Sequence, residues 1–281
     1  MNRYVLSAIV ILLSFAIAET EEEKPQARSL EMSEEYKAQR ERDLNRTFDS
    51  RNTIVVDQFG GGDYTTIQEA IDNAGDGAIV QVNAGVYYEN VSFSCRSIHL
   101  KGAGMDASYL TGIGTPLYLD CSSNSYQIKV SGFTFNTLNN DAADALIYMY
   151  NVRAHYTIEQ CKFPQDANET AIYVSARKDN CCYDTWQSTL VVRNNIFEDD
   201  TYSIQLAQGT NYGRNNVSLY VYNNVFNDSN WPIKYESDQF SNIEISNNIF
   251  FNTDNSISLD NGSWNHWIRY NARNNGTISY D

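Results

Sequence analysis

The sequence predicts an all-β chain, a right-handed parallel β-helix with a short capping helix at its N-terminal end. Three observations carry that expectation. Leu190-Val-Val-Arg-Asn-Asn-Ile-Phe197, Leu219-Tyr-Val-Tyr-Asn-Asn-Val-Phe226 and Ile243-Glu-Ile-Ser-Asn-Asn-Ile-Phe250 are one pattern written three times, starting 29 and 24 residues apart. A second alternating run follows each start by 14 residues, at Ile204-Gln-Leu206, Ile233-Lys-Tyr235 and Ile257-Ser-Leu259. A variable total period with a constant internal offset means two strands and a fixed turn per repeat, joined by loops of variable length. The segments also lack the 3.6-residue apolar spacing of a helix, and Asn-Gly hairpins of an antiparallel sandwich are scarce.

Each part of the chain has its own signature. Met1 to Ala18 joins a basic Arg3, an apolar run from Val5 to Phe15 and the small-residue end Ala16-Ile17-Ala18. The run is too short for a comfortable membrane span, so it reads as a cleaved signal peptide. The mature chain is then secreted or lumenal, with no membrane attachment after cleavage. Seven Asn-x-Ser/Thr sequons agree with that compartment and are N-glycosylation candidates: Asn45, Asn90, Asn168, Asn216, Asn227, Asn261 and Asn275. Residues 19 to 50 are charged and nearly free of large apolar side chains, which predicts a disordered leader or propeptide. A short helix from Glu34 to Leu44 is the alternative there.

The β-helix domain is assigned to residues 51 to 281. Its open end has to be covered, or the first rung exposes apolar surface and an unpaired edge. Thr66 caps a helix whose Ile67, Ala70, Ile71 and Ala74 make one apolar face, with Glu69 three residues after the cap and Gly75-Asp-Gly77 ending it. Strands follow at Ala78 to Val82, Gly85 to Val91 and Ser97 to Lys101, with a turn at Gly102-Ala-Gly104. In the repeats, period-2 alternation sends Leu190/Val192, Leu219/Val221 and Ile243/Ile245 to one side of their strands. It sends Val191/Arg193, Tyr220/Tyr222 and Glu244/Ser246 to the other. Each Asn-Asn pair marks a bend, because asparagine tolerates positive φ and hydrogen-bonds nearby backbone; stacked, such asparagines form a ladder.

Composition restricts the partners. The formal net charge is −15 and no basic cluster stands out, which argues against nucleic acid. Acidic polysaccharides need a bridging cation such as Ca²⁺, whereas neutral glycans meet no such obstacle. No other cofactor is expected, and His99, His155 and His266 have no metal-ligand spacing. Five cysteines in a secreted chain imply disulfides. Cys95 and Cys121 are 26 residues apart, and Cys161 lies 20 and 21 from Cys181 and Cys182, each close to one turn. Reduced, stacked core cysteines are the alternative. Asp199-Asp200 and Asn252-Thr-Asp254 read as turn residues. Among the aromatics, Tyr220 and Tyr222 on an outward strand face, with Trp264 and Trp267 in the terminal turn, are the glycan-binding candidates. The two tryptophans have a second reading as a plug for the C-terminal end of the coil.

One further pattern is specific. Val55-Val-Asp57, Gly61-Gly-Asp-Tyr64, Ile67-Gln-Glu-Ala70, Gly85-Val-Tyr87, Glu89-Asn-Val91 and Leu100-Lys-Gly102 closely resemble the opening of plant-type pectin methylesterases. They also resemble the wider pectin-lyase-like superfamily. The resemblance implies a capped β-helix and, in the esterases, an aspartyl nucleophile, an aspartate acid–base, two oxyanion glutamines and an orienting arginine. Where the family has Gln-Ala-Val-Ala-Leu this chain has Asp144-Ala-Leu-Ile-Tyr148, so an aspartate replaces the first glutamine. Gln165 and Asp166, in Cys161-Lys-Phe-Pro-Gln-Asp166, stand for the second glutamine and the acid in a segment two residues shorter than the family's Cys-x-Phe…Gln-Asp-Thr-Leu-Tyr and without its Thr-Leu-Tyr. The nucleophile motif is missing, with Asp184 in Tyr183-Asp184-Thr185-Trp186 as a distant stand-in, and no Gly-Arg or Arg-x-Trp context supplies the arginine.

One oxyanion donor is worth about 10²- to 10³-fold in rate. The expected function is therefore a secreted, glycosylated β-helix that binds or presents against extracellular polysaccharide, its catalytic set absent or altered. Two alternatives stand beside it: an active polysaccharide esterase or lyase with a rewired site at Asp144, Asp166 and Asp184, and a structural coat or wall component.

Overall fold

The computed structural model describes residues 34, 37–38, 41–42, 48, 52–138, 145–164, 170–175, 187–207, 216–235, 240–259, 265–274 and 277–280. The chain divides into two units, Met1–Arg42 and Asp43–Asp281. In the first, Glu34, Lys37, Ala38, Glu41 and Arg42 have helical backbone. Lys37 Nζ lies 2.7 Å from the Glu34 carboxylate, one turn away on the helix.

The second unit is the β-helix, built from three parallel sheets. Sheet A holds β1 (Thr53–Val56), β2 (Ala78–Val82), β5 (Ile98–Gly102), β8 (Gln127–Ser131), β11 (His155–Glu159), β14 (Gln187–Arg193), β17 (Asn216–Tyr222), β20 (Phe240–Ser246) and β23 (Asn265–Arg269). Sheet B holds β3 (Gly85–Tyr88), β6 (Ser108–Gly112), β9 (Thr134–Thr137), β12 (Lys162–Pro164), β15 (Ile196–Glu198), β18 (Val225–Asn227), β21 (Ile249–Phe251) and β24 (Ala272–Arg273). Sheet C holds β4 (Val91–Ser94), β7 (Leu117–Cys121), β10 (Ile147–Val152), β13 (Thr170–Ser175), β16 (Tyr202–Ala207), β19 (Trp231–Tyr235), β22 (Asn255–Leu259) and β25 (Thr277–Tyr280). The chain visits the sheets in turn, winding a right-handed coil. Leu219 pairs in parallel with Leu190 on one side and Ile243 on the other, so the three repeats stack as rungs.

The Asn-Asn turns explain this regularity. Asn194, Asn223 and Asn247 adopt φ of 57°, 57° and 56°, which swings the chain from sheet A into sheet B. The second asparagine of each pair is buried and points inward. Asn195 Nδ2 donates to Ile158 O at 3.0 Å and to Asn224 Oδ1 at 3.1 Å, and Asn224 Nδ2 donates to Val192 O and Asn248 Oδ1. Asn248 in turn reaches Asn271 Oδ1 at 3.0 Å, so the ladder continues one rung past the sequence repeat. The phenylalanine that closes each repeat stacks beside it: Phe135, Phe163, Phe197, Phe226 and Phe250 lie face to face at 5.4, 4.8, 4.9 and 5.0 Å. Burial is worth about 1.5–3 kcal/mol per ring, and each stacked pair about 0.5–1.5 kcal/mol more.

Helix α1 (Ile67–Asn73) is the predicted lid, with Ile67, Ala70 and Ile71 buried against the first rung. Thr66 Oγ1 accepts the Glu69 N–H. Glu89 closes the helix's start, its two carboxylate oxygens taking Ile67 N at 2.9 Å and Gln68 N at 3.0 Å. Arg96 Nη1 closes its end on Ile71 O and Ala74 O. The family-like residues in this region thus hold the cap. Gly62 belongs to the same device, because a Cβ there would lie 2.6 Å from Val55 O.

Cys95 and Cys121 form the expected bridge, with Cα atoms 4.6 Å apart. Cys161 takes the second of the two readings, a reduced core cysteine: it is a free, buried thiol, while Cys181 and Cys182 lie outside the described residues. Cys161-Lys-Phe163 occupies the place of Asn195-Ile-Phe197 one rung earlier, so its side chain points inward as the ladder asparagines do. Its N–H donates to Asn195 Oδ1 at 2.9 Å and its thiol to Glu159 O at 3.2 Å. Burial pushes this thiol's pKa up to about 12.

Candidate functional site

Asp144, Gln165, Asp166 and Asp184 lie outside the described residues, as do Cys181, Cys182, Trp264, Asn45, Asn168, Asn261 and Asn275. The aromatic candidates on sheet A fall mostly within them, and the structure corrects their role. Tyr220 faces away from the core yet is only 1% exposed, and its register neighbours Val191 and Glu244 are buried with it. No ring face is left there for a sugar. Tyr222 is half-buried; its hydroxyl accepts from Arg193 Nη1 at 2.7 Å and its ring lies 5.9 Å from that guanidinium. Trp267 pairs with Glu244 on the same outward row, so it stands on a lateral face instead of plugging the coil, while Ile268 beside it packs on the core.

The outer face of sheet A carries an ionic tie across three rungs. Glu159 sits 2.6 Å from Lys129 on one strand and 2.6 Å from Arg193 on the next. Burial works to raise the pKa of Glu159, but the two cations outweigh it and hold the carboxyl below its ordinary range. His99 bonds Ser131 Oγ through Nε2 at 2.7 Å, and the Phe48 ring lies 5.4 Å away. Burial, then Lys129, lowers the His99 pKa to about 4, so it is neutral near pH 7. Satisfied and buried, this group is built for stability, not for turnover.

Sheet C presents a different surface. Ser92, Tyr118, Tyr148, Tyr173, Gln205 and Lys234 stand in register on successive strands, all pointing outward. Tyr118 is 36% exposed and the rest of the aromatic row is half-buried. Ring centroids are 5.4 Å apart from Tyr118 to Tyr148 and 5.0 Å from Tyr148 to Tyr173, with Tyr150 6.5 Å from Tyr118. Further along, Lys234 Nζ lies 4.7 Å from the Tyr202 ring and 5.9 Å from Trp231. Burial, then Asp120 and the adjoining tyrosines, raises the Tyr118 pKa, which keeps it a phenol able to donate and accept. Rings, hydroxyls, an amide and an ammonium repeated at a rung spacing of about 4.8 Å suit an extended sugar chain.

The sequence held a signal for this row. Leu117-Tyr-Leu119, Ile147-Tyr-Met149 and Ile172-Tyr-Val174 are the same apolar-x-apolar triplet as Ile204-Gln-Leu206 and Ile233-Lys-Tyr235. Aligning all five would have placed three tyrosines on one outward line.

Fold and surface together define a β-helix with a polar aromatic lateral face. No family model matches the chain. A pectinesterase/pectinesterase inhibitor of Ficus pumila var. awkeotsang is 43% identical over 65 residues, 21% of this chain and 12% of that relative. Probable pectinesterase/pectinesterase inhibitor 17 of Arabidopsis thaliana is 26% identical over 157 residues, 55% of this chain and 28% of the relative. The chain thus matches less than a third of either relative's length. Among solved structures, pectin methylesterase from carrot covers 82% of this chain and 84% of its own at 11% identity and a TM-score of 0.42. The chain is a parallel β-helix whose sequence is similar to pectinesterases over part of its length.

Proposed function

We propose that this is a secreted, glycosylated β-helix protein that binds extracellular polysaccharide along the outer face of sheet C, with pectinesterase chemistry absent or altered. The row from Tyr118 to Lys234 carries this reading, because it sets three adjoining tyrosines, an amide and an ammonium outward in register on successive strands. Its sequence relatives being pectinesterases supports a wall polysaccharide as ligand. Loss of the esterase reaction follows from Asp144, where an oxyanion glutamine is needed, and from the missing nucleophile motif.

Affinity electrophoresis through gels containing pectins of high and low methyl esterification or neutral wall glycans tests it. At least one glycan retards the protein, and Tyr118→Ala and Tyr173→Ala each weaken the retardation about 3- to 10-fold, the worth of one aromatic contact. Pectin releases no methanol. Release abolished by Asp166→Asn or Asp184→Asn would make this an active esterase, and retardation by no glycan would make it a structural component.

A further inference from the structure

We propose that the sheet C row holds its polysaccharide in a notch over Ser92 and Ser94, where one sugar ring stacks on the open face of Tyr118 and gives its hydroxyls to Asp120. The inference rests on the polysaccharide reading above and adds which face of the row is contacted and which groups of the sugar are read.

Stacking decides which ring faces are left. Tyr118 and Tyr148 lie face to face, 5.4 Å apart and 15° from parallel, and Tyr173 covers the other side of Tyr148 at 5.0 Å. Tyr148 therefore shows a ligand its edge, not its face. Tyr118 ends the stack: its register neighbour on the far side is Ser92 of β4, small and exposed. No ring among the described residues lies against that face, and Tyr118 is 36% exposed.

Asp120 stands beside it. Two residues further along β7 it points to the same side as Tyr118, and it pairs with Ser94, again small and exposed. Its Oδ1 takes Asn151 Nδ2 at 3.0 Å, which holds the carboxylate in place and leaves Oδ2 to accept from a ligand. The base of the notch is fixed before any ligand arrives. Gln68 of α1 closes the edge of β4, accepting Ser92 N at 2.7 Å and donating to Ser92 O at 3.0 Å. The Cys95–Cys121 bridge ties β4 to β7 one residue beyond Ser94 and Asp120. A site ordered in advance loses less free energy on binding.

A pyranose ring matches both walls. Its apolar C–H face suits the tyrosine ring, and two adjacent hydroxyls suit a carboxylate acceptor. Neither contact uses the carboxyl group of a uronic acid. The ligand class is therefore a pyranose with free vicinal hydroxyls, methyl-esterified or not, and O-acetylation of those hydroxyls removes the donors that Asp120 needs.

Affinity electrophoresis compares highly methyl-esterified pectin with the same pectin after chemical O-acetylation. Wild-type protein should lose about 10-fold in affinity on acetylation, the worth of a hydrogen bond to a charged group. Asp120→Asn should bind the unacetylated pectin more weakly and lose at most about 3-fold on acetylation. Ser92→Tyr adds a ring to the stack and covers the open face, so it should weaken binding by at least about 3-fold, whereas Ser92→Ala should stay within about 2-fold of wild type. Thermal unfolding checks that each variant is folded, and should Ser92→Tyr fail to fold, Asp120→Asn decides. Undiminished binding by folded Ser92→Tyr, or equal acetylation losses in wild type and Asp120→Asn, overturns the notch while the polysaccharide reading stands. Esterified pectin that does not retard the wild type also overturns it, and retardation by no glycan at all removes the wider reading with it.

Discussion

Asn248 Oδ1 receives two hydrogen bonds from Asn224, one from its backbone N at 3.0 Å and one from its Nδ2 at 3.1 Å. Asn224 Oδ1 accepts the same pair of bonds from Asn195, so each amide both caps a backbone N–H and feeds the next rung. The bonds are buried, which makes an orphaned partner costly.

Asn224→Ala is therefore expected to be among the most damaging single changes. It strands the Asn195 N–H and the Val192 carbonyl, at about 1–3 kcal/mol for each unsatisfied group, and takes one bond each from the Asn195 and Asn248 side-chain amides. A loss of roughly 3–5 kcal/mol in urea unfolding is expected. Asn223→Gly next to it keeps a residue suited to φ 57° and should shift stability by less than about 1 kcal/mol. Equal effects at the two positions would remove the ladder from the account.

Acid should loosen the fold from near neutrality downward. His99 has a native pKa of about 4 against 6.5 in the unfolded chain, so between those values the unfolded state binds a proton that the native state refuses. Stability then rises with pH across that window, by up to about 1.4 kcal/mol per unit. Glu159, depressed by Lys129 and Arg193, contributes stability above the ordinary carboxylate range that is lost as pH falls through its lowered native value. His99→Gln should flatten the dependence between pH 6.5 and 4, read from urea midpoints at stepped pH.

Thiol chemistry separates the two described kinds of cysteine. Non-reducing peptide maps should recover Cys95 linked to Cys121, and removing this bridge by Cys95→Ser with Cys121→Ser should cost about 3 kcal/mol for a loop of 26 residues. Cys161, buried and with a raised pKa, should react with maleimide only after denaturation. Rapid labelling of Cys161 in native protein would contradict its place in the core.

Much of this architecture was written in the sequence, and the reason is local. Asn-Asn-x-Phe encodes a bend, a ladder rung and a stacked ring within four residues, so reading it once sets sheet, register and core. Cys161 kept two readings in the sequence because a disulfide and a ladder position share one spacing, and only the inward direction of the side chain tells them apart. Alternation correctly sent Tyr220 outward. It says nothing about whether the outer face is covered, which is a tertiary property. The sheet C row was missed for another reason: its tyrosine triplets lie before Leu190, where the strict repeat no longer flags them.

The charge of the chain makes the last prediction. With a formal net charge of −15, a de-esterified, anionic pectin approaches against repulsion, and Lys234 is the cation of the sheet C row. Binding to low-ester pectin should be weak without divalent cation and strengthened by Ca²⁺, which can bridge carboxylates on both partners. The Ca²⁺ effect should be larger at 0.01 M than at 0.1 M salt, as the Debye length grows from about 10 to about 30 Å. Highly methyl-esterified pectin carries little charge and should bind with little response to either variable. Lys234→Ala should weaken the anionic ligand more than the esterified one, whereas Tyr118→Ala should weaken both alike, because ring contact does not depend on the ester. Isothermal titration with the two pectins at both salt concentrations measures all of these differences. Equal losses for both ligands in Lys234→Ala would remove the ammonium from carboxylate recognition and leave the tyrosines as the binding surface.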